Sequence, residues 1–129
     1  MSTYLLDTTA LIDFSKNRPS ARALILDAID AADELGVCPI NVAEFYAGLT
    51  PAERPSWDRF LADLSYWPIS LSASAQAGIW RYDSERRGRT LSITDMLTAA
   101  VAHEQRAILV TSNVRDFPIG ELELLPLQN

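Results

Sequence analysis

The stretch Thr3-Tyr4-Leu5-Leu6-Asp7-Thr8-Thr9-Ala10-Leu11-Ile12-Asp13 decides how this chain folds. Tyr4-Leu5-Leu6 is a short apolar run of the kind that forms a buried strand. Leu11, Ile12 and Phe14 then recur at helical spacing, with Thr8 or Thr9 available as the N-cap. The segment reads as strand, abrupt turn and helix, which sets Asp7 at the carboxyl end of the strand. In open α/β sheets that edge is where ligands collect, because loops and helix N-termini converge there. A carboxylate at such a place can ligate a metal, act as a nucleophile or cap the helix. Partners elsewhere in the chain must decide between these roles.

Outward from this segment, strand-like and helix-like stretches alternate. After a break at Asn17-Arg18-Pro19-Ser20, the segment from Ala21 to Leu35 places Ala21, Leu24, Ile25, Ala28, Ile29 and Ala32 on one helical face. Gly36 fits the position that ends such a helix. Val37-Cys38-Pro39-Ile40 predicts a second strand, and Asn41 a cap for a helix carrying Val42, Phe45, Tyr46 and Leu49, with Glu44 in its first turn. A helix through Trp57, Phe60, Leu61 and Leu64 follows, then a short strand at Trp67-Pro68-Ile69. Ser70, Ser72 or Ser74 starts a helix that ends near Gly88, and Ser92-Ile93-Thr94-Asp95 opens another. Ala107-Ile108-Leu109-Val110 is the clearest buried strand, with Thr111-Ser112-Asn113 at its carboxyl end, and Leu122 to Leu125 suits a last one. Such alternation implies right-handed crossovers and a parallel sheet covered on both faces.

Composition narrows the chemistry. The 129 residues make one domain's length, and 48% hydrophobic with 22% charged residues suits a soluble globular protein. No apolar run approaches the roughly 18 residues that span a bilayer, and the N-terminus lacks a signal-peptide pattern. The expectation is a cytoplasmic protein without membrane association. Cys38 stands alone, which excludes an internal disulfide, a cysteine zinc cage and a CxxC motif. His103 is the single histidine, which excludes a two-histidine ribonuclease and leaves a Ser–His–Asp triad one candidate base. Thr9 stands where a haloacid-dehalogenase-like phosphatase carries its second Asp, and Ser112 lacks a Gly-x-Ser-x-Gly setting. A response-regulator receiver would need a lysine that Lys16, the only one, is not placed to supply.

Four acidic residues share a structural position. Asp7 ends the first strand, Glu44 and Asp95 begin helices, and Asp116 lies just beyond the clearest strand. Each has an ordinary explanation: Glu44 can close a capping box with Asn41, Asp95 can do so with Ser92, and Asp116 can shape a turn before Phe117-Pro118. None of these explains why all four fall at the sheet's carboxyl edge. The net charge of −6 argues against a generally basic nucleic-acid binder, yet setting those four carboxylates aside leaves the remainder close to neutral. Arg81, Arg86, Arg87 and Arg89 crowd into one segment. They suit either bidentate contacts to phosphate or a solvated helix end.

The segments Leu6-Asp7-Thr8-Thr9-Ala10-Leu11-Ile12, Asn41-Val42-Ala43-Glu44-Phe45-Tyr46-Ala47-Gly48, Thr94-Asp95-Met96-Leu97-Thr98-Ala99-Ala100 and Leu109-Val110-Thr111-Ser112-Asn113-Val114-Arg115-Asp116-Phe117 occur in an order and spacing that resemble PIN-domain proteins. More narrowly, they resemble VapC-type toxin ribonucleases. The resemblance spans nearly all of residues 1–129 as a single domain. It implies a three-layer α/β/α sandwich around a parallel sheet of four to five strands. Carried over, it makes Asp7, Glu44, Asp95 and Asp116 an acidic quartet for Mg²⁺ or Mn²⁺, with Thr8, Thr111 and Asn113 as polar neighbours. Either Asp116 or Asn113 supplies the fourth group.

The expected chemistry is metal-assisted hydrolysis of RNA to a 5′-phosphate and a 3′-hydroxyl, since such ions take hard oxygen ligands and few of them. Asp7 and Asp95 are the expected main ligands, Glu44 orients or deprotonates water, and Asp116 completes the pocket. The resemblance further implies an RNA substrate (transfer, ribosomal or messenger), a cognate VapB-type antitoxin and a homodimer. A non-catalytic PIN-like module for RNA binding or protein assembly is the competing expectation. Leu24, Ile25 and Ile29, with the face around Phe45, Tyr46 and Leu49, line either the antitoxin groove or the core.

Overall fold

Successive residues of the first strand and of the last two enter two different cores, and this makes the molecule three-layered. The computed structural model describes residues 1–128. Its elements run β1 (Thr3–Leu6), α1 (Thr8–Ser15), α2 (Pro19–Asp30), β2 (Glu34–Val37), α3 (Pro39–Ala47), α4 (Arg54–Ala62) and β3 (Ser65–Tyr66). They continue with α5 (Leu71–Arg86), α6 (Ile93–Glu104), β4 (Ile108–Thr111), a 3-10 turn (Val114–Asp116) and β5 (Leu124–Pro126). Leu5, Leu109 and Leu124 pack with the residues of α5 and α6. Their neighbours Leu6, Val110 and Leu125 pack on the opposite face with α1, α2 and α3. A strand buried on both faces has no polar side to show, which is why β1 and β4 read as unbroken apolar runs.

All strand pairs are parallel, in the order β3-β2-β1-β4-β5. The winding reverses between β1 and β4, where Leu5 stands opposite Leu109 and Leu6 opposite Val110. A crevice opens outside the carboxyl ends of the strands at such a reversal. Asp7 and Thr111 stand at that point.

The second helix ends earlier than its apolar spacing predicts. α2 stops at Asp30, and Ala32 takes the left-handed conformation (φ 58°) that closes it. The Asp33 amide donates to the Ala28 carbonyl at 2.9 Å and the Ala32 amide to Ile29 at 3.1 Å. These two bonds are the Schellman pattern, built here without glycine. Gly36, expected just past this helix, lies inside β2, where a Cβ would overlap the Trp67 ring. The strand therefore occupies Glu34–Val37 rather than 37–40, and α3 begins at Pro39 with Cys38 as its N-cap. Asn41 becomes the third residue of α3, and Glu44 moves from the first turn into the second. β3 and β5 are likewise shifted, to Ser65–Tyr66 and Leu124–Pro126.

Candidate active site

Asp7 is the first residue beyond β1. Its amide donates to the Val110 carbonyl at 3.0 Å, which carries the β1–β4 ladder one step past the strand. The residue, rather than Thr8 or Thr9, holds the N-cap position of α1, yet its side chain makes no capping hydrogen bond. Two threonines take hold of the carboxylate instead. Thr111 Oγ1 donates to Asp7 Oδ2 at 2.8 Å and Thr9 Oγ1 donates to the same oxygen at 3.2 Å. Each hydroxyl in turn accepts a backbone N–H: Ser112 to Thr9 at 3.0 Å and Asn113 to Thr111 at 3.0 Å. A hydroxyl has one proton to give, and here both protons are aimed at Asp7. Burial raises the Asp7 carboxyl above its usual range. Bonds from Thr111, the Thr8 amide and Thr9 draw it partly back, and the Glu44 charge raises it further.

Glu44 is exposed, and Thr8 Oγ1 donates to its Oε1 at 2.7 Å. Consecutive threonines thus hold different carboxylates: Thr8 reaches across to α3, and Thr9 across to the end of β4. Asp95 is the third residue of α6, half-buried, and its amide donates to the Ser92 hydroxyl at 3.3 Å in an N-cap. Its carboxyl is pushed up to about 6 by burial first, then by the charges of Asp7, Asp116 and Glu44. That ordering brings all four predicted acidic residues into one electrostatic neighbourhood, although they come from four separate junctions. Asp116 is exposed at the end of the 3-10 turn. Asn113 contributes its amide to the Thr111 hydroxyl, whereas its side chain has no hydrogen-bond partner among the described residues.

The donor set fits a hard, hydrated cation. It offers carboxylate oxygens only, and the two ion pairs formed among the described residues, Arg18–Asp13 and Arg81–Glu85, leave the quartet without a cation. No three of these groups among the described residues already enclose an ion on their own. What fits is the donor type: carboxylate oxygens are hard ligands, and an ion such as Mg²⁺ takes one or two of them and keeps several waters.

α3 and α6 are fixed to one another by a polar cluster that sequence reasoning passed over. Asn41 is fully buried; its Oδ1 accepts from the Cys38 amide and thiol, both at 3.2 Å, and its Nδ2 donates to Thr98 Oγ1 at 3.3 Å. Asn41 lies one turn before Glu44 and Thr98 one turn after Asp95. The cluster therefore sets the distance between the two helices that carry those carboxylates. Burial pushes the Cys38 thiol up, so it serves here as a packed neutral group. A polar residue at position 98 among Ala99, Ala100 and Val101 was the available signal. Thr9, read as a cap, carried no signal at all until β4 came alongside.

The arginine segment divides. Arg81 pairs with Glu85 at 3.1 Å, and Arg86 lies over the Tyr82 ring at 4.0 Å. Arg89 reaches the site's edge, where its Nη2 donates to the Arg115 carbonyl.

The PIN domain family model matches residues 4–118, and the chain belongs to the PIN-domain family. Among its relatives are VapC ribonucleases. Ribonuclease VapC19 of Mycobacterium tuberculosis is 30% identical over 118 residues, spanning 89% of this chain and 92% of that protein. Ribonuclease VapC2 of Haemophilus influenzae is 30% identical over 123 residues, or 91% of each chain. In solved structures the fold is shared with VapBC2 from Rickettsia felis bound to a promoter DNA fragment, at TM-score 0.82 and 23% identity over 98% of this chain and 99% of that one.

Proposed function

We propose that this chain, acting as one PIN-like domain, is a divalent-metal-dependent endoribonuclease and the toxin of a toxin–antitoxin pair. Supporting this is one observation above the rest: four carboxylates from distant segments share a field at the sheet's switch point, none of them in an ion pair among the described residues, in a relative of VapC ribonucleases. Asp7 and Asp95 would hold Mg²⁺ or Mn²⁺, assisted by Glu44 and Asp116. When bound, such an ion supplies positive charge against the phosphate oxygens and makes water a better nucleophile at neutral pH.

The chain's own residues do the rest. Thr9 and Thr111 hold Asp7 through a single oxygen, Oδ2, which fixes the orientation of its carboxylate. Thr8 occupies Oε1 of Glu44, so Oε2 is available to orient a water molecule and accept its proton. Water oxygen bonds to phosphorus as Glu44 takes its proton, the bond to the 3′ oxygen breaks, and that oxygen takes a proton from solvent water, giving a 5′-phosphate and a 3′-hydroxyl. Asp116, on the open side, completes the negative wall. A VapB-type antitoxin partner is supported by the VapBC assemblies that share this fold, and a homodimer is part of the same reading.

The test is cleavage of total RNA by purified protein. We expect EDTA to abolish cleavage, Mn²⁺ to restore it, and Asp7→Asn to lower the rate by at least about a hundredfold, more than removing a supporting hydrogen bond costs. Cleavage indifferent to EDTA, or retained by Asp7→Asn, overturns the reading. RNA binding with no cutting would instead leave the non-catalytic module.

A further inference from the structure

We infer that Arg89 and Arg115 form a two-armed phosphate site beside Asp116, which holds the RNA backbone next to the bond being cut. This rests on the nuclease reading and adds to it a residue, Arg115, that lies outside the arginine-rich segment. A cavity of about 500 Å³ adjoins the acidic centre, lined by Arg89, Ser112, Asn113, Val114, Arg115 and Asp116. Arg89 comes from the loop after α5, Arg115 from the 3-10 turn, and neither guanidinium has a carboxylate partner among the described residues. One donor of Arg89 is spent on the Arg115 carbonyl, which tethers the side chain to the turn that ends in Asp116. Its other donors remain for a ligand.

Charge decides where the strand runs. The quartet is negative and excludes phosphate until a cation neutralises it, whereas this cavity sets two cations against one carboxylate. The neighbouring cavity, about 530 Å³, shares Arg89, but there Asp83 and Glu121 oppose Arg87 and Arg89. Arg81 and Arg86 line neither cavity and are engaged with Glu85 and Tyr82. The positive wall is therefore confined to Arg89 and Arg115. Guanidinium forks match phosphate oxygens bidentately, and contacts of this type position a strand without reading its bases.

Because recognition is of the backbone, a short fluorescein-labelled oligouridylate serves as the probe. Its binding is followed by anisotropy against salt concentration in Mg²⁺, with the probe checked for integrity on a gel. We expect Arg89→Ala/Arg115→Ala to weaken binding at least tenfold and to flatten the log–log salt slope by about 0.7 for each phosphate no longer neutralised. Arg89→Lys should recover most of the slope, and Arg81→Ala/Arg86→Ala should match the wild type. An unchanged slope in the double variant, or a wild type that does not bind the probe at low salt, overturns the proposal. The two readings fail separately. Arginine-dependent binding without cleavage removes the nuclease alone. Metal-dependent cleavage with an unaltered KM in the double variant removes this site alone.

Discussion

Asp7 and Asp95 are both raised carboxylates, but for different reasons, and the difference is testable. Asp7 is deeply buried and compensated by threonine hydroxyls. Asp95 has no such side-chain donors among the described residues, so burial and three like charges carry it to about 6. An aspartate in the unfolded chain titrates near 3.9, so between about pH 4 and pH 6 the folded form binds more protons than the unfolded one. Stability of the metal-free protein must therefore fall as pH rises through that window. Asp95→Asn should remove the Asp95 share of the fall and leave that of Asp7. In EDTA the variant should exceed the wild type near neutral pH and match it at pH values below about 4. The shift alone would amount to about 3 kcal/mol, which solvent screening of a half-exposed group reduces to about 1 kcal/mol. Urea unfolding against pH reads this directly, and parallel wild-type and variant curves would contradict it.

Between elements, small features set the positions of the carboxylates. Gly36 lets the Trp67 ring lie against β2, so the turn into α3 begins where it does. Gly36→Ala forces that ring to move in a packed core and should cost about 1–3 kcal/mol, visible as a lower urea midpoint. An unchanged midpoint would show that the ring has room to shift. Apart from β5, the strand boundaries that sequence reasoning misplaced surround this glycine. A glycine after an amphipathic helix usually ends it, and nothing local revealed that Ala32 had already done so in a left-handed conformation. The cluster of Asn41, Cys38 and Thr98 was hidden for a similar reason, because its members are 57 residues or more apart except for one local pair.

At the scale of the molecule, the sheet order places the reversal between β1 and β4, and the repelling carboxylates are gathered there. A cation that binds the folded form alone stabilises it by mass action. Mn²⁺ at tenfold excess over its Kd should add about 1.4 kcal/mol, or about 5 °C in the melting temperature. Asp95→Asn should lose most of that rise. A melt indifferent to millimolar Mg²⁺ and Mn²⁺ would argue against a site already assembled for metal.

The sequence by itself determined the layered α/β class, the strand at residues 4–6, the helix opened by Ser92 and the place of Asp7 just past the first strand. Those follow from periodicity and from residue types at element ends, which are local properties. Only the tertiary structure decided which hydroxyl holds which carboxylate, that Asn113 acts through its amide, and that Arg89 rather than Arg81 or Arg86 reaches the site. Hydrogen bonds and charge coupling depend on distances of a few ångströms between segments remote in the chain. Those distances exist only after β1 and β4 have paired.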